Sequence, residues 1–113
     1  MNAMNDDVFA LHAEVCKCMA NPTRLKILAA LRGGEKSVDE LAGILGVAKS
    51  NASQHLAVLR NRRILATRRE GVNIFYRCAN AKMLKACDLL REVLMEQLAA
   101  GHELMKAAGK TKG

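Results

Sequence analysis

Residues 37–62 read SVDELAGILGVAKSNASQHLAVLRNR, and this stretch predicts two short helices joined by a tight turn. Ser37 and Glu40 form a capping box, in which each side chain accepts a hydrogen bond from the backbone N–H of the other residue, so a helix starts there. Gly46 allows the positive φ that a short turn requires. Ala42 and Ala52 are small enough to let the two helices cross closely, which is typical of a helix-turn-helix motif.

The second helix of this pair starts with polar side chains of the kind that contact nucleic acid. Asparagine and glutamine amides pair with adenine in the major groove, and lysine and serine reach phosphates. An ordinary helical hairpin inside a protein core is the alternative interpretation of the same spacing. We expect the DNA-reading residues of this helix to be Lys49, Ser50, Asn51, Ser53 and Gln54.

Positive charge is concentrated in the part of the chain that follows the turn. The 113 residues have a net charge of +7, and residues 49–77 hold seven basic side chains against one acidic side chain, Glu70. Most of the seven are arginines, whose planar guanidinium suits bidentate contacts with phosphate. A solvated face is the alternative interpretation of any such run. Within and beside this run, the further residues that we predict to contact DNA are Arg60, Arg68, Arg69 and Asn73.

Apolar residues at helical spacing predict three more helices. The first covers residues 6–19, and the second starts at Pro22, which fits a first helical position, and stops at Gly33. The last helix runs over about 81–105. We expect the small and basic tail at 106–113 to be frayed.

Two short strands follow the helical pair, at residues 64–67 and 72–78, with a turn at Glu70-Gly71. Of the two helices joined by the tight turn, the first starts at Ser37 and the second covers about residues 49–62. The predicted fold is therefore mainly α with a small β-hairpin, in the order of four helices, two strands and a fifth helix. This order corresponds to a winged helix-turn-helix, which we expect to occupy residues 1–113 as a single DNA-binding domain.

Composition excludes several classes of protein. Half of the residues are apolar and 26% are charged, which is globular rather than disordered composition. No apolar run approaches the ~20 residues that span a membrane, and residues 1–7 lack the basic and apolar regions of a signal peptide. We expect a cytoplasmic protein without a membrane partner. An enzyme is not expected, because no catalytic base, cofactor loop or βαβ frame accompanies the cysteines.

Four motifs in order resemble the arsenic-repressor type (ArsR/SmtB) family of regulators. They are NPTRLKIL at 21–28, SVDELA at 37–42, SQHLAVLR at 53–60, and REG at 69–71 ahead of FYR at 75–77. The resemblance covers about residues 8–100. It implies a homodimeric winged-helix repressor that binds a palindromic double-stranded DNA operator and releases it when a metal, metalloid or thiol-reactive signal is sensed.

The second helix of the pair, about residues 49–62, is the one expected to read DNA, and we call it the reading helix. Its start departs from that family pattern at two positions. Ala48 stands where the family has a hydroxyl residue, so the helix cap must come from elsewhere. Asn51 stands where threonine or another small residue is common, which leaves the base preference open.

The first and last helices carry apolar stripes that a chain of this size cannot easily cover by itself. Uncovered stripes of that extent mark an interface, and a two-fold pair would place two reading helices one DNA turn apart. The residues that we expect in this dimer interface are Val8, Leu11, Val15, Leu90, Leu94 and Leu98.

The cysteines are the candidate sensors of the signal. The family's thiolate site on the helix-turn-helix needs cysteine near Val38 to Leu41, where there is none, and Asp88, His102 and Glu103 do not match the spacing of its zinc-type site. This leaves Cys16, Cys18 and Cys87 as the candidate sensor residues.

The chemistry of these thiols stays open at this point. Residues two apart on a helix point to nearly opposite sides, so Cys16 and Cys18 do not chelate one ion without local unwinding. Cys16 and His12 lie one turn apart and share a face. No cofactor is certain, and a thiolate-bound soft metal or metalloid ion is the candidate. The alternatives are a thiol-redox or reactive-sulfur switch, and a DNA-binding regulator in which all the cysteines only pack.

Overall fold

The computed structural model describes residues 5–107, with the side chains of residues 103–105 and 107 excepted. Eight helices and strands follow one another within these residues: α1 (Asp6–Met19), α2 (Pro22–Ala30) with a 3-10 turn at Leu31–Gly33, β1 (Lys36–Ser37), α3 (Val38–Leu45), α4 (Lys49–Asn61), β2 (Leu65–Glu70), β3 (Asn73–Cys78) and α5 (Ala81–Ala107). The chain divides into two compact units, Met1–Ala81 and Lys82–Gly113. This is the predicted winged helix-turn-helix order, with one strand more than expected.

Local signals define the ends of the helices. The side chain of Asn21 accepts a hydrogen bond from the backbone N–H of Arg24 at 3.1 Å and caps α2, and Pro22 occupies its first position. The capping box is formed at α3, where Ser37 Oγ accepts from the Glu40 N–H at 3.2 Å and Glu40 Oε1 accepts from the Ser37 N–H at 2.9 Å. Gly46 ends α3 with a φ of 69°, so the predicted turn is confirmed.

The sheet has three strands in the order β1-β3-β2, all antiparallel. Two details of the sequence prediction were wrong. Strand β2 continues to Glu70, which pairs with Asn73, so the hairpin loop is the two-residue segment Gly71-Val72 and not Glu70-Gly71. The second error is the omission of β1, whose two residues are too few to show alternation and which pairs with β3 across a long separation in sequence.

The core of the first unit lies between α2, α3 and α4. Its largest fully buried side chains are Ile27, Leu28, Leu41, Leu56 and Leu59. Burying a side chain of this size contributes about 1.5–3 kcal/mol. Because Leu56 and Leu59 hold the inner side of α4, the opposite side of that helix is left to solvent.

The second unit is the helix α5, whose predicted end was too early. The helix continues through Ala107, so Lys106 and Ala107 are helical and not part of a frayed tail. The rest of the predicted tail, 108–113, lies outside the described residues. Among the residues that are described, no helix combines the length and the apolar character needed to cross a membrane.

Candidate nucleic-acid interface

The polar residues predicted to read DNA lie together on the outer side of α4. All five are exposed (Lys49, Ser50, Asn51, Ser53 and Gln54), whereas Ala52, Leu56 and Leu59 are buried on the opposite side. Ala48 has extended backbone geometry at the start of the helix and contributes no side-chain cap. Its carbonyl accepts from the N–H groups of Asn51 and Ala52 at 3.0 and 3.1 Å. The first turn of α4 is therefore held by backbone hydrogen bonds alone, and its polar side chains are open to solvent.

Two basic residues in or beside the predicted interface already have exposed acidic partners in the protein. Lys49 Nζ lies 3.1 Å from Asp39 on α3, and both side chains are well exposed. Arg62, just after α4, pairs with Glu14 of α1 at 3.0 Å. Exposed pairs of this kind contribute little to stability, so a phosphate can compete for these cations.

Arg68 is held more firmly than the other basic residues of the wing, the hairpin β2–β3. Its Nε donates to both carboxylate oxygens of Glu35 at 3.0 and 3.2 Å, and its Nη2 donates to the same carboxylate. A second carboxylate, of Glu70, lies 3.4 Å from Nη1. The hydrogen bonds from Arg68 lower the pKa of Glu35 below its ordinary value, and the charge of Arg77 acts in the same direction.

Arg69 and Arg60 present a different environment. Both are exposed, and within the described part of the chain neither has an ion pair. Adjacent residues of a strand point to opposite faces, so Arg68 and Arg69 project from opposite sides of the wing. Asn73 is exposed next to the hairpin loop. Arg60, Arg69 and Asn73 are thus available to a phosphate backbone.

The predicted sensor cysteines have unlike environments. Cys16 is exposed and Cys18 is buried, as two residues on opposite sides of one helix should be. Cys87 on α5 is half-buried, and Cys78 at the end of β3 donates its thiol hydrogen to the Asn80 carbonyl at 3.3 Å. Within residues 5–107, side chains at 103–105 and 107 apart, no three histidine, cysteine or acidic groups form a cluster that could hold a metal ion.

Most of the residues predicted for a dimer interface are exposed in the single chain. Val8 and Leu11 on α1, and Leu90, Leu94 and Leu98 on α5, have 42–71% of their surface accessible. Val15 is half-buried. Each helix thus presents an uncovered apolar stripe of its own.

Three residues that shape this site were not found from the sequence. Glu35 and Phe75 hold Arg68 across the sheet, and Arg24 donates to His55 on the inner border of α4. The first contact depends on β1, and the second on how α2 and α4 pack. The NPTRLKIL and SQHLAVLR motifs contain Arg24 and His55, but neither motif indicates that the two side chains meet.

Comparison with known proteins places this architecture in a family. The family model for the bacterial regulatory proteins of the arsR family matches residues 21–67. The HTH-type transcriptional regulator KmtR of Mycobacterium tuberculosis is 45% identical over 75 residues, which are 66% of this chain and 58% of KmtR, so the match spans less than two thirds of that relative. The uncharacterized HTH-type transcriptional regulator Rv0081 of the same species is 34% identical over 96 residues, 84% of each chain.

Solved structures agree with these matches. The crystal structure of Rv0081 has a TM-score of 0.77 and covers 85% of this chain and 97% of its own. A solution structure of the homodimeric winged helix-turn-helix DNA-binding domain of Mb0332 from Mycobacterium bovis, a possible ArsR-family transcriptional regulator, has a TM-score of 0.75 at 32% identity and covers 87% of this chain and 94% of its own. The chain belongs to the ArsR family of winged helix-turn-helix, DNA-binding transcriptional regulators.

Proposed function

We propose that this protein is a repressor that binds a palindromic operator as a homodimer, with α4 in the major groove and the wing against the neighbouring phosphate backbone. The main support for this proposal is that α4 has a buried side with Leu56 and Leu59 and an opposite, exposed side with polar residues. A major groove admits one helix, and amide side chains such as Gln54 and Asn51 pair with the adenine edge there. Arg60 and Arg69 supply the sequence-independent attraction.

A matched pair of variants tests the readout. The operator is first selected from a pool of random duplexes, and then Gln54→Ala is compared with Lys49→Ala on operator and on random DNA. We expect Gln54→Ala to lose ~1–3 kcal/mol of discrimination, with little loss on random DNA. Lys49→Ala should weaken both alike. Equal losses on both duplexes for Gln54→Ala would contradict base reading by this residue.

The dimer part of the proposal is supported by the exposed apolar stripes of α1 and α5 and by the homodimeric relative from Mycobacterium bovis. In a two-fold symmetric dimer, the α4 helices of the two protomers would enter the major groove one helical turn of DNA apart. The operator should therefore be a palindrome whose half-site centres lie about 10 base pairs apart.

The signal that we propose is thiol-reactive, with a soft metal or metalloid ion as the leading candidate because thiolates are soft ligands. Cys16 is the accessible thiol of α1, and Cys18 and Cys87 complete the candidate set. Operator affinity is measured with Zn(II), Cd(II), As(III), an oxidant or a persulfide donor for Cys16→Ser, Cys18→Ser and Cys87→Ser. Cys78→Ser is the control, since its thiol already donates to the Asn80 carbonyl.

The outcomes of that experiment separate the three alternatives. Loss of the response in the candidate variants and not in Cys78→Ser supports sensing. Mass spectrometry then distinguishes an added metal mass from the loss of two hydrogens in a disulfide or the addition of sulfur in a persulfide. An unchanged response in all four variants supports a regulator whose cysteines only pack.

A further inference from the structure

Arg24 connects the end of α1 to the middle of the reading helix. Its Nη1 donates to the carbonyl of Cys18 at 3.0 Å, and its Nε donates to Nδ1 of His55 at 3.1 Å. The guanidinium is partly buried, and its backbone N–H is fixed by the Asn21 cap. One side chain of α2 therefore contacts two other helices through two separate hydrogen bonds.

Both bonds have a clear chemical basis. The last carbonyl groups of a helix have no partner within the helix, and Cys18 lies one residue before the end of α1. Arginine is a donor only, so Nδ1 of His55 accepts. It follows that His55 is neutral in this arrangement and carries its proton on Nε2.

The bond to His55 differs in kind from the other contacts of α4. Leu56 and Leu59 hold the helix by apolar burial, which has no direction. A hydrogen bond has a preferred angle and distance, so the Arg24–His55 bond adds a directional constraint to the orientation of α4 that apolar burial sets only broadly. His55 directly follows Gln54 and lies one turn after Asn51.

We propose that Arg24 is a positioning residue, which sets the orientation of the reading helix from the Cys18 end of α1. Its effect on DNA rests on the proposed function, whereas the hydrogen bonds themselves do not. A change in the backbone around Cys18 would move the guanidinium, and the guanidinium would move His55 together with the side chains that read DNA. Arg24 thus provides a direct route from one candidate sensor residue to α4.

The first experiment requires no DNA. Long-range nitrogen–hydrogen NMR correlations of the imidazole report which nitrogen of His55 carries the proton. We expect the Nε2–H tautomer in the parent protein and a shift toward a mixture in Arg24→Met. A parent His55 that carries its proton on Nδ1 would overturn the proposal, whatever the protein does with DNA.

The second experiment measures the effect on operator recognition. Arg24→Met should lower operator affinity roughly 10- to 100-fold, the range of a hydrogen bond to a charged group, and should change binding to random DNA less than twofold. Lys26→Met is the matched control, because it removes the same charge from an exposed position of the same helix. Equal effects of the two variants would show that only charge matters and would overturn the proposal.

A conservative substitution separates positioning from folding. His55→Asn keeps an acceptor near the place of Nδ1 and should retain most of the operator affinity, whereas His55→Leu should lose it even where its melting temperature matches that of His55→Asn. The substitution Cys18→Ala should shift the NMR signals of the His55 imidazole when it is made in the otherwise unchanged protein. It should not shift them when it is made together with Arg24→Met. Equal operator affinities for His55→Asn and His55→Leu, or a Cys18 effect that persists without Arg24, would contradict the proposed route.

Discussion

The guanidinium of Arg68 lies over the ring of Phe75, with 4.8 Å between Cζ and the ring centroid. The two residues are direct partners across β2 and β3, and Phe75 is in turn the partner of Ser37 on β1. From this position Arg68 reaches Glu35, which immediately precedes β1. Arg68 thus spans all three strands, and its charge is balanced within the protein.

The two arginines of the wing should therefore contribute differently to DNA binding. Arg69→Ala should weaken binding to all sequences alike and reduce the slope of log affinity against log salt by about one unit, because one phosphate contact is lost. Arg68→Ala should change the slope by less, since Glu35 already neutralises this cation. Titration of random duplex DNA at several salt concentrations measures both. Equal slopes for the two variants would show that Arg68 leaves Glu35 when DNA binds.

Removing the acidic partner should have the opposite effect. Glu35→Gln leaves the guanidinium of Arg68 without its main counter-charge, so we expect tighter binding to random DNA and a salt slope up to about one unit steeper. Glu92→Gln removes the same charge from α5 and serves as the control. A gain of the same size in both variants would indicate net charge and not the release of Arg68.

The Glu35–Arg68 pair should also leave a signature in the pH dependence of stability. Arg68 lowers the pKa of Glu35 from its ordinary value of 4.5, so the pair stabilises the folded state above that value. This contribution is lost as the pH falls through the lowered pKa. The melting temperature of the parent should exceed that of Glu35→Gln at pH 7, and the difference should begin to shrink below pH 4.5 and disappear once the pH is below the lowered pKa of Glu35. A difference that grows on acidification would contradict this assignment.

Two glycines of the helix-turn-helix provide a stability test of opposite sign. Gly46 has a φ of 69°, which costs an alanine about 1–2 kcal/mol, so Gly46→Ala should destabilise the protein by that amount. Gly43 lies inside α3, and a Cβ there would meet nothing within 4 Å. Gly43→Ala should therefore stabilise by about 0.5–1 kcal/mol. Urea unfolding measures both, and a Gly46→Ala protein as stable as the parent would contradict the strained turn.

The apolar stripe of α5 predicts the behaviour of Leu94→Asp. Leu94 is 49% exposed in the single chain, and a carboxylate buried without a partner in an interface costs several kcal/mol. We expect a folded monomer by light scattering, with loss of operator binding. Val72→Asp is the control for the oligomeric state alone and should stay dimeric, because Val72 is 92% exposed at the tip of the wing and outside the predicted interface. A dimeric Leu94→Asp protein that still binds the operator would place the interface elsewhere.

Most element boundaries followed from the sequence because their causes are local. Ser37 and Glu40 are three residues apart and cap α3 without help from the rest of the chain. Helix α4 ends at Asn61, within one residue of its predicted end, and Arg63 in the following turn has a φ of 62°. The sequence did not predict the left-handed backbone of Arg63, because this geometry is uncommon for arginine.

What the sequence determined by itself is the order of the elements apart from β1, the inner and outer sides of α4, and the clustering of arginine around the wing. Each of these depends on residues that are near one another in the chain. Only the tertiary structure decided that Arg68 pairs with Glu35 and that Arg24 bonds to His55, 33 and 31 residues apart. Such pairs depend on strand register and helix packing, which are fixed by burial of the whole core and have no signal at either residue.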